Sequence, residues 1–245
     1  AVIGRGDLGQ MMRVLDASNL KVGSKYGLQV DQMKGTGGIE VHVQRPMQDV
    51  VPNDSILYSV KGGFREAAAP NLVSGFGLTS SDVTFDLNQD GMQITGAGQL
   101  GPAPVVFDWK ERFVHSGDNG SELTASARVT PDLLNAFGFA ARNFMQGEAA
   151  VELRASGPGG RDFSSITASL DLTRSQLDIP EFGWRKKYDA PAQGSFRYGK
   201  DEDGRGAVMT GDIRADGLEL IGEARMDAAG GMQSANIERI FSRDS

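Results

Sequence analysis

From about residue 81 onward, apolar and polar positions alternate along the chain with a period of two. The clearest unit is Asp82-Val-Thr-Phe-Asp-Leu-Asn88, then Gln89-Asp90-Gly91, then Met92-Gln-Ile-Thr-Gly-Ala-Gly-Gln-Leu100. Two alternating segments around an Asp-Gly turn predict a β-hairpin. The turn signal recurs at Asp118-Asn119-Gly120, Asp203-Gly204 and Asp216-Gly217. Further strands are expected over residues 25–31, 38–44, 55–60, 105–111, 147–155, 164–173, 176–179, 194–198, 206–215, 218–226 and 232–237. Pro46 and Pro52 make residues 45–54 a loop or sheet-edge excursion, and residues 66–76 read either as a helical turn ended by Pro70 or as irregular chain.

Two short helices interrupt the strands. Residues 7–16 carry a candidate cap, Asp7, and place Leu8, Met11, Met12 and Leu15 on one face. A helix this short needs an apolar surface to lie on. Residues 130–137 are better specified: Thr130 caps, Pro131 occupies the first helical position, Asp132 opposes the dipole and Gly138 stops the helix. Leu133, Leu134 and Phe137 form its apolar side, expected as a lid on an end or edge of the sheet.

The period-two phase assigns one face to Val83, Phe85, Leu87, Met92, Ile94, Val105, Phe107 and Trp109, and its continuation to Val151, Leu153, Ile166, Leu170, Leu172, Leu177 and Ile179. Roughly 12–15 strands at about 4.8 Å spacing would make an open sheet about 60–70 Å long, and open sheets of more than about 10 strands curl, split or become covered. The expected fold is therefore all-β with minor α: an elongated, curled antiparallel sheet forming an apolar groove, with two or more short capping helices. Residues 1–245 read as one continuous segment of a longer protein, with sub-units at 1–77 and 78–245.

Composition sharpens this picture. The 33 glycines are scattered among strand-like segments, where glycine marks bulges, bends or close approach to the backbone. A net charge of −7 without a basic run argues against a polyanionic partner, so nucleic acid is not expected. The chain has no cysteine, which excludes disulfides, thiolate metal sites and a cysteine nucleophile.

Candidate chemistry is sparse. The two histidines, His42 and His115, lack a second histidine or a carboxylate cluster at ligand spacing, so no metal, cofactor or catalytic residue is expected. Residues 96–101 and 157–160 are glycine-rich but match neither phosphate-binding pattern. Asp201-Glu202-Asp203 is read as a hairpin tip and not as a calcium loop. Residues 181–190 interleave Phe182, Trp184 and Tyr188 with Arg185, Lys186 and Lys187. Anchoring of the loop is the first reading of that mixture, contact of Trp184, Arg185, Lys186 and Lys187 with a membrane or lipid headgroup the second, and base stacking the last.

Residues 123–127, Thr130-Pro-Asp-Leu-Leu-Asn-Ala-Phe-Gly138, residues 147–157 and Ile166-Thr-Ala-Ser-Leu-Asp-Leu-Thr-Arg-Ser-Gln-Leu-Asp-Ile-Pro-Glu-Phe-Gly-Trp-Arg-Lys186 resemble the AsmA-like superfamily, more narrowly its large YhdP-type members. Residues 78–108 fit the same architecture, and residues 7–15 resemble another copy of the helix that precedes a groove segment. The resemblance implies a periplasmic protein of Gram-negative bacteria, anchored in the inner membrane by a segment absent from this chain. It implies a repeating β-groove that shields phospholipid acyl chains between inner and outer membranes, without catalysis. The expected function is passive phospholipid transport along that groove, with the remaining polypeptide and the envelope membranes as partners. The alternative is a non-catalytic structural or protein-interaction β-scaffold of the cell envelope.

Overall fold

The computed structural model describes residues 1–17, 22–46, 56–73, 75–113, 120–136, 140–201, 205–228 and 232–242. Strand β1 (Val2–Asp7) runs into helix α1 (Leu8–Ala17), and after helix α2 (Val22–Tyr26) and a 3-10 turn at Val30–Gln32 comes a meander. It consists of β2 (Lys34–Gln44), β3 (Leu57–Val73), β4 (Phe76–Asn88), β5 (Gly91–Leu100) and β6 (Ala103–Arg112). Then follow β7 (Gly120–Val129), helix α3 (Pro131–Ala136), a 3-10 turn at Ala141–Asn143, β8 (Met145–Gly147), β9 (Ala149–Gly157), β10 (Ser165–Asp171) and β11 (Ser175–Ile179). The last elements are a 3-10 turn at Pro180–Phe182, β12 (Trp184–Lys186), β13 (Ala192–Lys200), β14 (Gly206–Ala215), β15 (Leu218–Asp227) and β16 (Met232–Ser242).

Thirteen strands form an open ladder in the order β1-β2-β3-β4-β5-β6-β7-β9-β10-β13-β14-β15-β16, and β12-β11-β8 form a separate three-stranded sheet. The fold is thus an open, largely antiparallel β-sheet with few short helices. The chain divides into two compact units, one of residues 1–123 with 157–162 and one of residues 124–156 with 163–245. Position 77/78 falls inside β4, within the first unit.

Local chemistry explains the elements. The Asp7 carboxylate accepts the Gln10 amide at 3.0 Å and caps α1. Asn88 Oδ1 accepts the amides of Asp90 (2.8 Å) and Gly91 (3.1 Å), closing the β4–β5 hairpin. Gly217, at φ +69°, turns β14 into β15.

Several expectations need correction. Residues 25–31 are not a strand. Asp16 accepts the Ser24 amide at 2.8 Å and the Ser24 hydroxyl at 3.2 Å, which fixes α2, and Gly27 at φ +62° ends it. Residues 66–73 hold no helical turn. β3 runs through Pro70, with left-handed backbone at Glu66 (φ 51°) and Asn71 (φ 53°) absorbing its register shifts against β4. Residues 181–190 are not one loop, because Gly183 at φ +63° closes the 3-10 turn and β12 pairs with β11. His115, Phe137 and the turns at 118–119 and 203–204 lie outside the described residues.

Candidate functional site: the apolar sheet faces

In an antiparallel ladder, directly paired residues share a face. Within the first unit the register pairs Phe85 with Ile94 and Ile94 with Trp109, Leu87 with Met92, Val83 with Gly96, Gly96 with Phe107, and Gly98 with Val105. All eight residues expected on one face in this half therefore share it. The face extends through Val60 and Phe64 of β3 to Ile39 and Val41 of β2. The eight side chains are partly exposed, although each stands on a strand paired on both sides.

The opposite face is polar and cross-linked. Lys61 pairs with Asp86 at 2.9 Å, the Thr84 and Thr95 hydroxyls lie 2.7 Å apart, and Gln93 donates to Asp108 at 3.0 Å. His42 belongs here, with Nε2 2.8 Å from Glu40 Oε1. These exposed contacts hold the sheet's outer side in water and contribute little stability each.

Glycines shape the apolar face. Gly37, Gly62 and Gly96 are the direct cross-strand partners of Phe64, Phe85 and Phe107. A Cβ at Gly37 would stand 2.7 Å from Phe64 Cδ1, at Gly62 2.9 Å from Phe85 Cζ, and at Gly96 2.7 Å from Phe107 Cζ. Each ring lies down over a backbone stripped of its side chain. Phe64 and Phe85 then stack nearly parallel, with ring centres 6.1 Å apart.

Helix α1 covers one part of this face. Leu8 joins Phe64 and Ala67 in a buried cluster, with Met11, Met12, Met33, Ile39, Val83 and Phe85 packed against it. Another part is covered from α2: the Tyr26 ring meets Trp109 edge-on at 5.3 Å, and its hydroxyl donates to Glu111 Oε1 at 2.9 Å. Glu111 follows Trp109 in the same phase and is 4% exposed, so it brings a carboxylate onto an otherwise apolar face. Burial first, then the charge of Glu111 and the hydrogen bond to it, push the Tyr26 phenol well above its ordinary range. Trp109 Nε1 donates to Ser121 Oγ at 2.7 Å. The sequence signal for Glu111 was its spacing of two from Trp109. Tyr26 carried no such signal, because it reaches Glu111 only through a helix read as strand.

Within the second unit, Val151 pairs with Leu170, Leu153 with Ala168, and Ala155 with Ile166. The same face continues through Phe196 and Tyr198 of β13, Met209 and Ile213 of β14, and Leu220 of β15. Val151, Leu153, Ile166, Leu170, Phe196, Met209, Ile213 and Leu220 are again partly exposed. Glu152, Arg154, Thr167, Ser169, Arg197 and Thr210 take the other face.

Leu172, Leu177 and Ile179 depart from that arrangement. Leu172 lies just past β10 and is buried, whereas Leu177 and Ile179 belong to β11 in the three-stranded sheet. The Asp171 carboxylate accepts the Thr173 amide at 2.9 Å and Leu172 O accepts the Ser175 amide at 3.0 Å, so the chain turns out of the ladder there. Leu133 of α3 is 2% exposed and Leu134 half-buried, and α3 packs on the 3-10 turn at Ala141–Asn143 and on β8.

The aromatic and basic cluster faces both ways. Trp184 is buried and its Nε1 donates to Asp216 O at 3.0 Å, tying β12 to the β14–β15 turn. Lys186 is 3% exposed, and its ammonium donates to Ser175 O (2.5 Å), Thr173 O (3.2 Å) and Lys187 O (3.2 Å). Burial lowers the Lys186 pKa, with Asp189 and Asp171 opposing the shift. Arg185 is exposed and bound to Asp178, and Lys187 is exposed. Trp184 and Lys186 thus anchor the segment, leaving Arg185 and Lys187 as its outward cations.

Among the described residues, no group of three or more His, Asp or Glu side chains is placed to hold a metal ion, and no helix is long and apolar enough to cross a membrane. No protein-family model matches the chain, and no curated protein or solved structure is similar to it by sequence or fold comparison.

Proposed function

We propose that this chain is a non-catalytic β-sheet scaffold that presents apolar faces to a partner. The observation that carries this reading is the exposure of those faces. Sixteen apolar side chains named above, eight in each unit, are only partly covered, whereas the polar sides carry their own ion pairs and hydrogen bonds. Contiguous exposed apolar surface beyond a few hundred Å² marks an interaction site.

A second reading makes the partner a hydrocarbon chain, which is what the resemblance to the AsmA-like superfamily implies, together with its periplasmic, membrane-anchored setting. One observation favours it. A protein partner brings roughly one hydrogen bond per 100–200 Å² of interface, but among the described residues of β9, β10, β13 and β14 the second unit's face carries polar side chains only at Tyr198 and, at the end of β13, Lys200. Acyl chains need none, and sheltering one is worth about 0.8 kcal/mol per buried methylene.

The test is photo-crosslinking from Ile94 and Leu170, with Thr84 and Gln93 as positions on the polar face. The scaffold reading expects adducts from the apolar positions alone. Protein adducts identify a protein partner, and phospholipid adducts identify the conduit. Equal yields from both faces would defeat both readings.

A further inference from the structure

We propose that the polar face of the second unit holds a phosphate-binding site made by Arg154, Thr167 and Arg197, in which two guanidinium forks and one hydroxyl receive the free oxygens of a phosphate monoester. The site lies on the face opposite the apolar one, and it stands or falls independently of the partner proposed there.

The ladder sets its geometry. Thr167 of β10 pairs directly with Arg154 of β9 on one side and with Arg197 of β13 on the other, and Arg197 pairs in turn with Thr210 of β14. Directly paired residues share a face, so arginine and threonine alternate in one row across four strands. With neighbouring strands about 4.8 Å apart, the two arginine Cα atoms stand about 10 Å from each other with Thr167 between them. All four residues are exposed, and Ser165 and Ser169 flank Thr167 in the same phase of β10, adding hydroxyls without bulk.

The charge pattern sets this row apart. Opposite charges are the stabilising choice across paired strands, and the polar face of the first unit follows it with Glu40, Lys61 and Asp86 as successive direct partners. In the second unit Arg128 and Arg174 share Glu148 at 3.8 and 3.5 Å, Arg214 and Arg239 share Glu219 at 3.5 and 3.8 Å, and Arg225 lies 3.2 Å from Glu223. Arg154 and Arg197 have no ion pair and no side-chain hydrogen bond among the described residues. Scarcity of carboxylates is not the reason, because the chain carries 32 Asp and Glu against 25 Lys and Arg. Glu152, in the adjacent row of β9, pairs with neither arginine, and Glu223, beyond Thr210, is held by Arg225.

The donor set selects the ligand. A guanidinium is planar, permanently charged and presents paired N–H donors that match two oxygens, so one fork satisfies a carboxylate completely. Two forks and a hydroxyl call for at least three free oxygens around one centre, which a phosphate monoester supplies. The same chemistry is found in a soluble phosphate and in phosphatidic acid at a membrane surface. A net charge of −7 repels an anionic membrane as a whole, so the soluble source is the expected one.

The test is a titration of the isotope-labelled chain with inorganic phosphate at constant ionic strength, against sodium chloride, read by NMR at backbone amides and arginine Nε–H groups. Saturable shifts are expected at Arg154, Thr167 and Arg197 with phosphate and not with chloride. Arg154→Gln and Arg197→Gln should each weaken binding roughly 10- to 100-fold, the range for a hydrogen bond to a charged group, and Thr167→Val about 2- to 10-fold. Arg197→Lys keeps the charge and loses the fork, so it should recover only part of the affinity. Arg239→Gln, on the same sheet, leaves Glu219 paired with Arg214 and should change nothing. No saturable shift at the three residues, full recovery by lysine, or an equal loss in Arg239→Gln would overturn the proposal, because each is what unselective attraction to surface charge produces. Vesicles of phosphatidylcholine with and without phosphatidic acid distinguish the sources. Sedimentation with phosphatidic acid vesicles that is lost in Arg197→Gln assigns the site to a headgroup, and phosphate shifts without sedimentation assign it to a soluble monoester.

Discussion

Replacing Gly96 by alanine should destabilise the first unit, against the usual trend for glycine in a strand. At an unstrained position, alanine gains about 0.4–1 kcal/mol by restricting the unfolded chain. At Gly96 the new methyl would stand 2.7 Å from Phe107 Cζ and 3.0 Å from Asp82 O. The carbonyl is fixed in the ladder, so the ring must lift, and overpacking of this kind costs about 1–3 kcal/mol. The two terms leave a net loss of up to about 2.6 kcal/mol and about 1.3 kcal/mol at mid-range, or a fall of about 3–5 °C in Tm at mid-range for a chain of this size. Urea unfolding measures it, followed at Trp109 with Trp184 replaced by Phe, and for a variant of the second unit at Trp184 with Trp109 replaced by Phe. Gly199→Ala is the control: nothing lies within 4 Å of its Cβ position and its φ is not left-handed, so it should be neutral or stabilising. Phe107→Leu should relieve part of the Gly96→Ala penalty, giving a coupling of about 0.5–3 kcal/mol in the double-mutant cycle. Equal effects at Gly96 and Gly199, or strict additivity with Phe107→Leu, would refute the ring-over-glycine reasoning.

Lys186→Met should cost about 1–3 kcal/mol, because it strips the donor from the carbonyls of Thr173, Ser175 and Lys187. The loss should appear as faster hydrogen exchange confined to residues 173–187. Tyr26 should ionise well above the ordinary tyrosine range: its folded pKa is raised above the unfolded value, so its contribution to stability is complete below about pH 10 and is lost as pH rises toward the folded pKa. Phenolate absorbance should show a component that titrates above the ordinary tyrosine range and is lost in Tyr26→Phe, and its absence would contradict the buried contact. Leu170→Asp should leave the fold intact, because the site is partly exposed, yet abolish crosslinking from its cross-strand partner position 151 to any apolar partner. Unchanged crosslinking would show that the second unit's face is not the contact surface.

Alternation and Asp-Gly turns made the meanders legible, because strand period and turn chemistry are local properties. The eight residues of the first apolar face and four of the second, Val151, Leu153, Ile166 and Leu170, fall where period two places them. Leu177 and Ile179 were misplaced because the break in alternation after Leu172 reads as an interruption within one ladder, whereas the turn there, made by the Asp171 side chain without glycine or proline, carries the chain into a second sheet. For Trp184 and Lys186 the sequence offers anchoring first and headgroup contact second, without partners to decide between them. Only the Asp216 carbonyl and the three carbonyls around the ammonium turn them inward, and those partners are set by tertiary folding. Helix α2 was hidden because Tyr26, Leu28 and Val30 alternate with polar residues as a strand would, while its cap, Asp16, belongs to the preceding helix.

The high glycine content and the exposed apolar faces have one physical connection. Two packed sheets are held about 10 Å apart by side chains that stand up from both inner faces and interdigitate. In the first unit the largest side chains do the reverse: Phe64, Phe85 and Phe107 lie down across Gly37, Gly62 and Gly96 and lower the relief of the face. A lowered face offers few ridges for a second sheet to lock into, but it still withdraws apolar area from water against an occupant that takes up its contour. Flexible methionines of α1 meet that requirement within the chain itself. A partner that replaced them would need the same property, which favours long aliphatic or methionine-rich surfaces over a rigid β-sheet. Filling the notches should therefore weaken binding of such a partner even where the fold survives. Gly96→Ala, whose methyl would meet Phe107 Cζ at 2.7 Å, should reduce partner crosslinking at Ile94 more than Gly199→Ala does. Equal crosslinking in the two variants would separate the glycines from the function of the face.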